Sequence, residues 1–155
     1  MQYIKGMQFY QNDKKTAITL GKFDGLHRGH ETLIERVIEH QKNDGVDSVV
    51  FAFDMAPLYE KIKKKKESLI TNEERAGRLF GRVDYLVECP FVEAVSKIEA
   101  ETFIKEILVK QFHAEYIVVG TDFHFGYQKK GDYHMLQQYS GEYGYEVEVI
   151  EKKCY

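Results

Sequence analysis

Two imidazoles, His27 and His30, stand three residues apart in the stretch "GKFDGLHRGH" (residues 21–30). A β-like run precedes the stretch and a helical pattern follows it. If both histidines lie in the first turn of that helix, they share a face. From there they can donate hydrogen bonds to phosphate oxygens, which stabilises charge that grows in a transition state. Transfers at phosphorus depend mostly on position and charge, so no covalent nucleophile is required. The glycines fit the same picture. Gly21 ends the strand, Gly25 permits a tight turn, and Gly29 lets the start of the helix approach a ligand closely. A helix N-terminus presents unpaired N–H groups and the positive end of its dipole, which suits a phosphate. Two other readings stay open. His-x-x-His, with Asp24, could be half of a metal site, although no third soft ligand is spaced for it. The pair could also be two surface histidines. The glycine spacing matches neither the dinucleotide fingerprint nor a P-loop.

Such a motif needs a frame. Five runs have the Val and Ile content of buried strands: residues 16–20, 47–53, 83–88, 116–120 and 145–151. Helical patterns lie between them. Leu33, Ile34, Val37 and Ile38 recur on one face of the first, and Phe103, Ile104, Ile107 and Leu108 on one face of a later one. A capping box, Thr71 with Glu74, opens a helix over 71–80. Asp132 is expected as the N-cap of a helix that stops before Gly141. Strands alternating with helices predict an α/β fold with a parallel sheet of about five strands and helices on both faces. The motif and two long loops, after the second and fourth runs, all leave carboxyl ends of strands, where open α/β sheets bind ligands.

The chain has 155 residues and a formal net charge of −3, which fits one domain and gives no basic character to recommend nucleic acid. No stretch is apolar for long enough to span a membrane, and the N-terminus has no signal-peptide pattern. Cys89 and Cys154 match neither a zinc spacing nor a disulfide framework. A reducing, cytoplasmic setting is therefore expected. The lysine run at 61–67 reads as a solvated loop, or as a basic flap near a phosphate-rich ligand.

The loop "GTDFHFGYQKKGD" (120–132) is the second cluster with chemical potential. Asp122 can set the loop through backbone amides or take part in metal or ribose contacts. Phe123 and Phe125 are expected to face opposite ways, one packing under the loop and the other meeting a ring. Gly126 and Gly131 permit bends. The bland alternative is a hairpin with core aromatics. Lys129 and Lys130 read as solvated, with phosphate ligands as the alternative, and His124 and His134 as surface residues. Tyr127 and Phe91 belong either to a pocket or to the core.

Taken together, these stretches resemble the adenylyltransferase module of bacterial FAD synthetases, within the HIGH-type nucleotidyltransferases. "HRGH" is similar to the superfamily's His-x-Gly-His, and the whole opening to the module's "GxFDGxHxGH". "FAFDMAP" (51–57), "LITNEERAGRLFGRVDYLVECPF" (69–91) and "GTDFHFGYQKKGD" resemble three further segments of the module, so the likeness runs from about residue 16 to 151. The resemblance implies a Rossmann-like fold and FMN adenylyltransferase activity, in which ATP and FMN give FAD and pyrophosphate with Mg2+. It implies that His27 and His30 hold the triphosphate. It also implies that Gly21, Phe23, Asp24, Gly25 and Gly29 shape the nucleotide pocket, and that Asp122, Phe123, Phe125 and Gly126 lie on the flavin and nucleotide side. No resident metal ligand is expected. Alternatives are an adenylyl- or cytidylyltransferase acting on another phosphate-bearing acceptor, or a nucleotide- or flavin-binding domain without catalysis. Lys22 and Met55 depart from the family's usual residues. The family's Ile-Ser-Ser-Thr-x-Ile-Arg segment and its riboflavin kinase module are not in the sequence. The expectation is thus a fragment or a reduced relative, with ATP binding and turnover both weakened, and with a riboflavin kinase domain as partner in any longer chain.

Overall fold

A computed structural model describes residues 2–21, 28–54 and 82–151. Its centre is a sheet of parallel strands: β1 (Gln2–Lys5), β2 (Thr16–Gly21), β3 (Asp47–Asp54), β4 (Tyr85–Pro90), β5 (Ala114–Gly120) and β6 (Glu146–Ile150). Their order across the sheet is β1-β4-β3-β2-β5-β6. The five predicted runs are all present, and the sixth strand is β1, on the edge beside β4. Its four residues pair Gln2–Lys5 with Tyr85–Glu88. So short a segment has little β signal of its own, and its pairing with β4 defines it.

Alternate residues of the strands enter two cores, because successive side chains point to opposite faces. Ile18, Leu20, Val49, Phe51, Phe53, Val87, Cys89, Ile117 and Val119 fill one core. Ala17, Val50, Ala52, Leu86 and Val118 fill the other. Both faces are therefore covered, as a parallel sheet requires. Helix α1 (Arg28–Asp44) covers the second face with Leu33, Ile34 and Val37 buried and Ile38 partly so, as its periodicity predicts. On the first face lie a wide-turned helix over Phe103–Gln111, which continues from the short α-helical Ala100–Thr102, and a helix over Tyr133–Tyr143. Phe103, Ile104, Ile107 and Leu108 are all buried there. The wide winding closes with the Phe112 N–H donating to Ile107 O at 3.0 Å, a five-residue step instead of four.

The Tyr133–Tyr143 helix begins as predicted, with Asp132 accepting a hydrogen bond from the Met135 amide at 3.1 Å. Its end differs from the prediction, because it runs through Gly141 and stops at Gly144. Gly144 is the residue with left-handed backbone (φ +77°), and that conformation marks a C-terminal cap better than the mere presence of glycine. The capping-box helix expected over 71–80 and the lysine run at 61–67 lie outside the described residues.

Helix α1 is held at both ends. Near its start, Glu31 receives both guanidinium nitrogens of Arg82, at 3.1 and 2.9 Å. Toward its other end, His40 lies between two carboxylates, Asp44 at 2.8 Å from Nδ1 and Glu148 of β6 on Nε2. The His40 ring stacks on Tyr116 of β5 at 3.8 Å, and Arg36 pairs with both Glu148 and Glu39. These ties fix the helix axis against β5 and β6, and so fix where its first turn meets the end of β2.

Candidate active site

The strand order reverses at β2. The chain moves out through β3 to β4, then returns across β2 to form β5 and β6. The crevice between the carboxyl ends of β2 and β5 is thus a topological switch point, the position where open α/β sheets take ligands. A cleft of about 280 Å³ opens there, lined by Leu20, Gly21, Leu33, Gly120, Asp122, Phe123, His124 and Lys129. The crossover from β2 delivers the start of α1 to the same edge, so Gly29 and His30 fall in the helix's first turn.

The loop after β5 builds the opposite wall. It turns at once, with the Phe123 N–H donating to Gly120 O at 3.2 Å. Gly120 leaves room for the side chain that follows it, since a Cβ at this position would stand 3.3 Å from Asp122 Oδ1. Asp122 is exposed and supplies a carboxylate to the cleft. The loop then comes back on itself through paired backbone bonds between Phe125 and Gly131, at 3.1 and 2.9 Å. At Gly126 the backbone is left-handed (φ +81°), and an added Cβ would fall 2.7 Å from Ala100 Cα. That close passage locks the loop onto the start of the Ala100–Thr102 turn.

Beside the cleft lies a smaller hollow of about 40 Å³, walled by Phe53, Phe91, Val95, Ile98, Phe103, His124, Phe125, Gly126 and Lys129. Its wall is an aromatic cluster. Phe53 meets Phe91 edge-on at 6.2 Å, Phe103 packs against Phe125 at 5.6 Å, and Phe123 stacks on Phe53 at 6.4 Å. These rings present a flat apolar surface at the lip of a polar cleft, which suits a planar aromatic ligand carrying a charged tail.

Of the residues singled out from sequence, Gly21, Asp122 and Phe123 line the cleft, and Phe125 and Gly126 line the hollow. Phe125 is 4% exposed and belongs to the core as well. One expectation is corrected. Phe123 and Phe125 do not face opposite ways, because their rings stack at 5.8 Å with 15° between planes. Residues two apart in extended backbone return to the same side, and both rings continue one aromatic layer. Phe23, Asp24, Gly25 and His27 lie outside the described residues, as does the side chain of His30. Phe91 lines the hollow and is also packed against the core, so its two readings merge. His124 and Lys129, read from sequence as surface residues, are exposed yet line both recesses. No periodicity marks them, since they gain their place through the loop's return. Phe53 and Phe103 were legible only as strand and helix core.

Cys89 lies buried in the aromatic core, and burial pushes its thiol up to about 11. It has no nucleophilic character at neutral pH. Among the described residues no group of three His, Cys, Asp or Glu side chains is arranged to hold a metal ion, and no helix is long and apolar enough to cross a membrane.

A family model, FAD synthetase, matches residues 9–155. Among curated proteins, the bifunctional riboflavin kinase/FMN adenylyltransferase of Escherichia coli (strain K12) is 30% identical over 140 residues, covering 89% of this chain and 45% of that protein. The protein of the same description from Buchnera aphidicola subsp. Schizaphis graminum is 28% identical over 159 residues, covering all of this chain and 51% of its own length. The chain therefore spans about half the length of the curated relatives it matches. Among solved structures, a Streptococcus pneumoniae chain described as a macrolide-efflux protein superposes with a TM-score of 0.81 at 24% identity, over 98% of this chain and 51% of that one. Pantothenate synthetase from Thermus thermophilus superposes with a TM-score of 0.53 at 19% identity, over 98% of this chain and 61% of the other. At those identities the structures speak for the fold, a Rossmann-like α/β sheet. With the family model matching from residue 9 to the last residue, the chain belongs to the FAD synthetase family.

Proposed function

We propose that this chain transfers the AMP moiety of ATP to FMN, giving FAD and pyrophosphate. The observation that carries the reading is the shared wall between two unlike recesses at the switch point, a polar cleft and an aromatic hollow. Family membership and the names of the bifunctional relatives support it.

In this reading ATP occupies the cleft, with its triphosphate toward the start of α1. The helix dipole and its unpaired amides favour the phosphates there, and His27 and His30 add donors. The hollow is too small for a whole flavin. At about 40 Å³ it takes no more than a methyl-bearing tip of the ring, and the ring itself lies across its mouth against Phe123. A phosphate oxygen of FMN attacks the α-phosphorus of ATP. The bond from that phosphorus to the β-bridging oxygen breaks, and pyrophosphate leaves with the electron pair. The histidines neutralise charge as it grows on the leaving group. Mg2+ enters as the counter-ion of ATP and is part of the substrate. Asp122, the one carboxylate lining the cleft among the described residues, fits the habit of Mg2+ to take one or two carboxylates beside substrate phosphates. In a longer chain, a riboflavin kinase domain like that of the bifunctional relatives would supply FMN.

The test is incubation with ATP, Mg2+ and a panel of acceptors, with pyrophosphate and FAD both measured. FAD formation is expected with FMN. Turnover confined to a non-flavin acceptor would overturn the assignment, and FMN binding without turnover, even with the native C-terminal continuation restored, would point to a non-catalytic module. His30→Ala should lower kcat by about 10²–10³ while leaving FMN affinity largely intact. A wild-type rate in that variant would remove the motif's proposed role.

A further inference from the structure

We propose that His124 and Lys129 form the binding site for the acceptor's phosphate, and so select a phosphorylated flavin over an unphosphorylated one. The inference rests on the flavin reading above. It starts from the two recesses, which share two lining residues among those described, His124 and Lys129. An acceptor whose ring lies across the mouth of the hollow, and whose phosphate must reach a nucleotide in the cleft, has to pass this junction. Both side chains found there are nitrogen groups able to meet a phosphate. Asp122, whose carboxylate repels one, lines the cleft and not the hollow.

The local geometry prepares both groups. His124 Nδ1 lies 3.0 Å from Asp122 O. A carbonyl oxygen only accepts, so Nδ1 carries the hydrogen and Nε2 is left for a ligand. Nε2 can take a proton from a phosphate or, once protonated, donate to it. Lys129 sits in a turn of unusual backbone. Gln128 and Lys129 are both left-handed, at φ +58° and +56°, a conformation that side-chain-bearing residues seldom adopt. The Lys129 amide donates to Gly126 O at 3.1 Å, and Gly126 is itself fixed against Ala100. The residue is thereby set on a short, anchored turn, and it lines both recesses. Chain reversal at Phe125 and Gly131 returns the chain toward the two recesses that His124 also lines.

The experiment compares FMN with riboflavin, which lacks the phosphate, by quenching of flavin fluorescence in the 155-residue chain, with ATP titrated separately. The variants are His124→Ala, Lys129→Gly and the pair together. Glycine accepts the left-handed backbone of position 129 without penalty, so Lys129→Gly removes the charge and keeps the turn. In the wild type FMN should bind more tightly than riboflavin. In the double variant FMN affinity should fall about tenfold, the size of one charge-assisted hydrogen bond, with riboflavin unchanged. If the variants preserve the FMN-to-riboflavin ratio, the proposal is overturned while the flavin reading stands. If they weaken ATP and leave that ratio alone, the pair serves the nucleotide and the proposal is equally overturned. If the wild-type chain binds neither flavin, the flavin reading fails first and takes this inference with it.

Discussion

Gly126→Ala tests how the loop after β5 is held. Two separate penalties meet at this residue. Its backbone is left-handed at φ +81°, which costs a residue with a Cβ about 1–2 kcal/mol. The added methyl would also fall 2.7 Å from Ala100 Cα and Cβ and 2.8 Å from Ala100 N. Two of those atoms are backbone, so no side-chain rotation relieves the overlap, and forced repacking of this kind costs about 1–3 kcal/mol. The sum, about 2–5 kcal/mol, is a large share of a stability of about 5–15 kcal/mol. Gly144 supplies the control. It has nearly the same φ, +77°, but nothing within 4 Å of a Cβ, so Gly144→Ala should lose only the conformational share, about 1–2 kcal/mol. Gly141, inside the Tyr133–Tyr143 helix and also in open space, should gain about 0.5–1 kcal/mol on becoming Ala. Urea unfolding of the three variants, with ΔG extrapolated to water, measures all of these. The expected order of stability is Gly141→Ala above wild type, then Gly144→Ala, then Gly126→Ala. Equal losses at 126 and 144 would refute the claim that contact with Ala100 constrains the loop.

Cys89 should resist iodoacetamide at pH 8 in the native protein and react on unfolding, with the modified peptide mapped to separate it from Cys154. Because burial raises this thiol from 9.0 to about 11, its contribution to stability is full below the unfolded value and is lost as pH rises toward the folded one. Asp132→Ala should destabilise the Tyr133–Tyr143 helix by about 1 kcal/mol at neutral pH, and Asp132→Asn by much less, as judged by thermal melting. Desolvation raises the Asp132 carboxyl, but the Met135 amide and His134 outweigh it and hold it below its ordinary value. Its stabilising effect is therefore present above the ordinary carboxylate range and fades as pH falls through the folded value, so the Ala variant and wild type should converge in acid. For Glu31 and Arg82, each about one-third exposed, a double-mutant cycle should give a coupling of about 0.2–1 kcal/mol that shrinks in high salt.

The sheet was legible because parallel strands covered on both faces write themselves as largely apolar runs, as β2, β3, β4 and β5 do, while the edge strand β6 shows itself by alternating Glu and Val. β1 was not, because four edge residues with only Ile4 deeply buried acquire their strand character from β4. The first turn of the Tyr133–Tyr143 helix was legible in Asp132, whose side chain acts on an amide three residues away. Its last turn was not, since Gly141 and Gly144 are the same residue in sequence and differ only in φ. The site divides along the same line. Gly21, Asp122 and Phe123 sit in short stretches whose order in sequence is close to their order in space. The hollow draws Phe53 from β3, Phe91 and Val95 from beyond β4, and Phe103 from a helix. No local pattern joins residues so far apart, and each has a sufficient reason to be apolar in the core it helps to fill.

That double duty bears on how the fold meets a ligand. The aromatic core on one face of the sheet continues from Phe51 through Phe53 and Phe103 to Phe125 and Phe123. It is buried at Phe51 and reaches the cleft at Phe123. The wall offered to a planar ring is therefore the end of a close-packed layer, and its shape is set by the same contacts that hold the domain together. On the opposite face, α1 carries its first turn to the same edge while Glu31, Arg36 and His40 tie it along its length. In the proposed reading, ring recognition draws on one core and triphosphate recognition on the helix that covers the other, and the sheet between them fixes their spacing. A change in either core should move one recess relative to the other. Truncations such as Phe103→Ala ought accordingly to weaken flavin binding through displacement of Phe125, even though position 103 lies in the helix and not in the loop that faces the cleft.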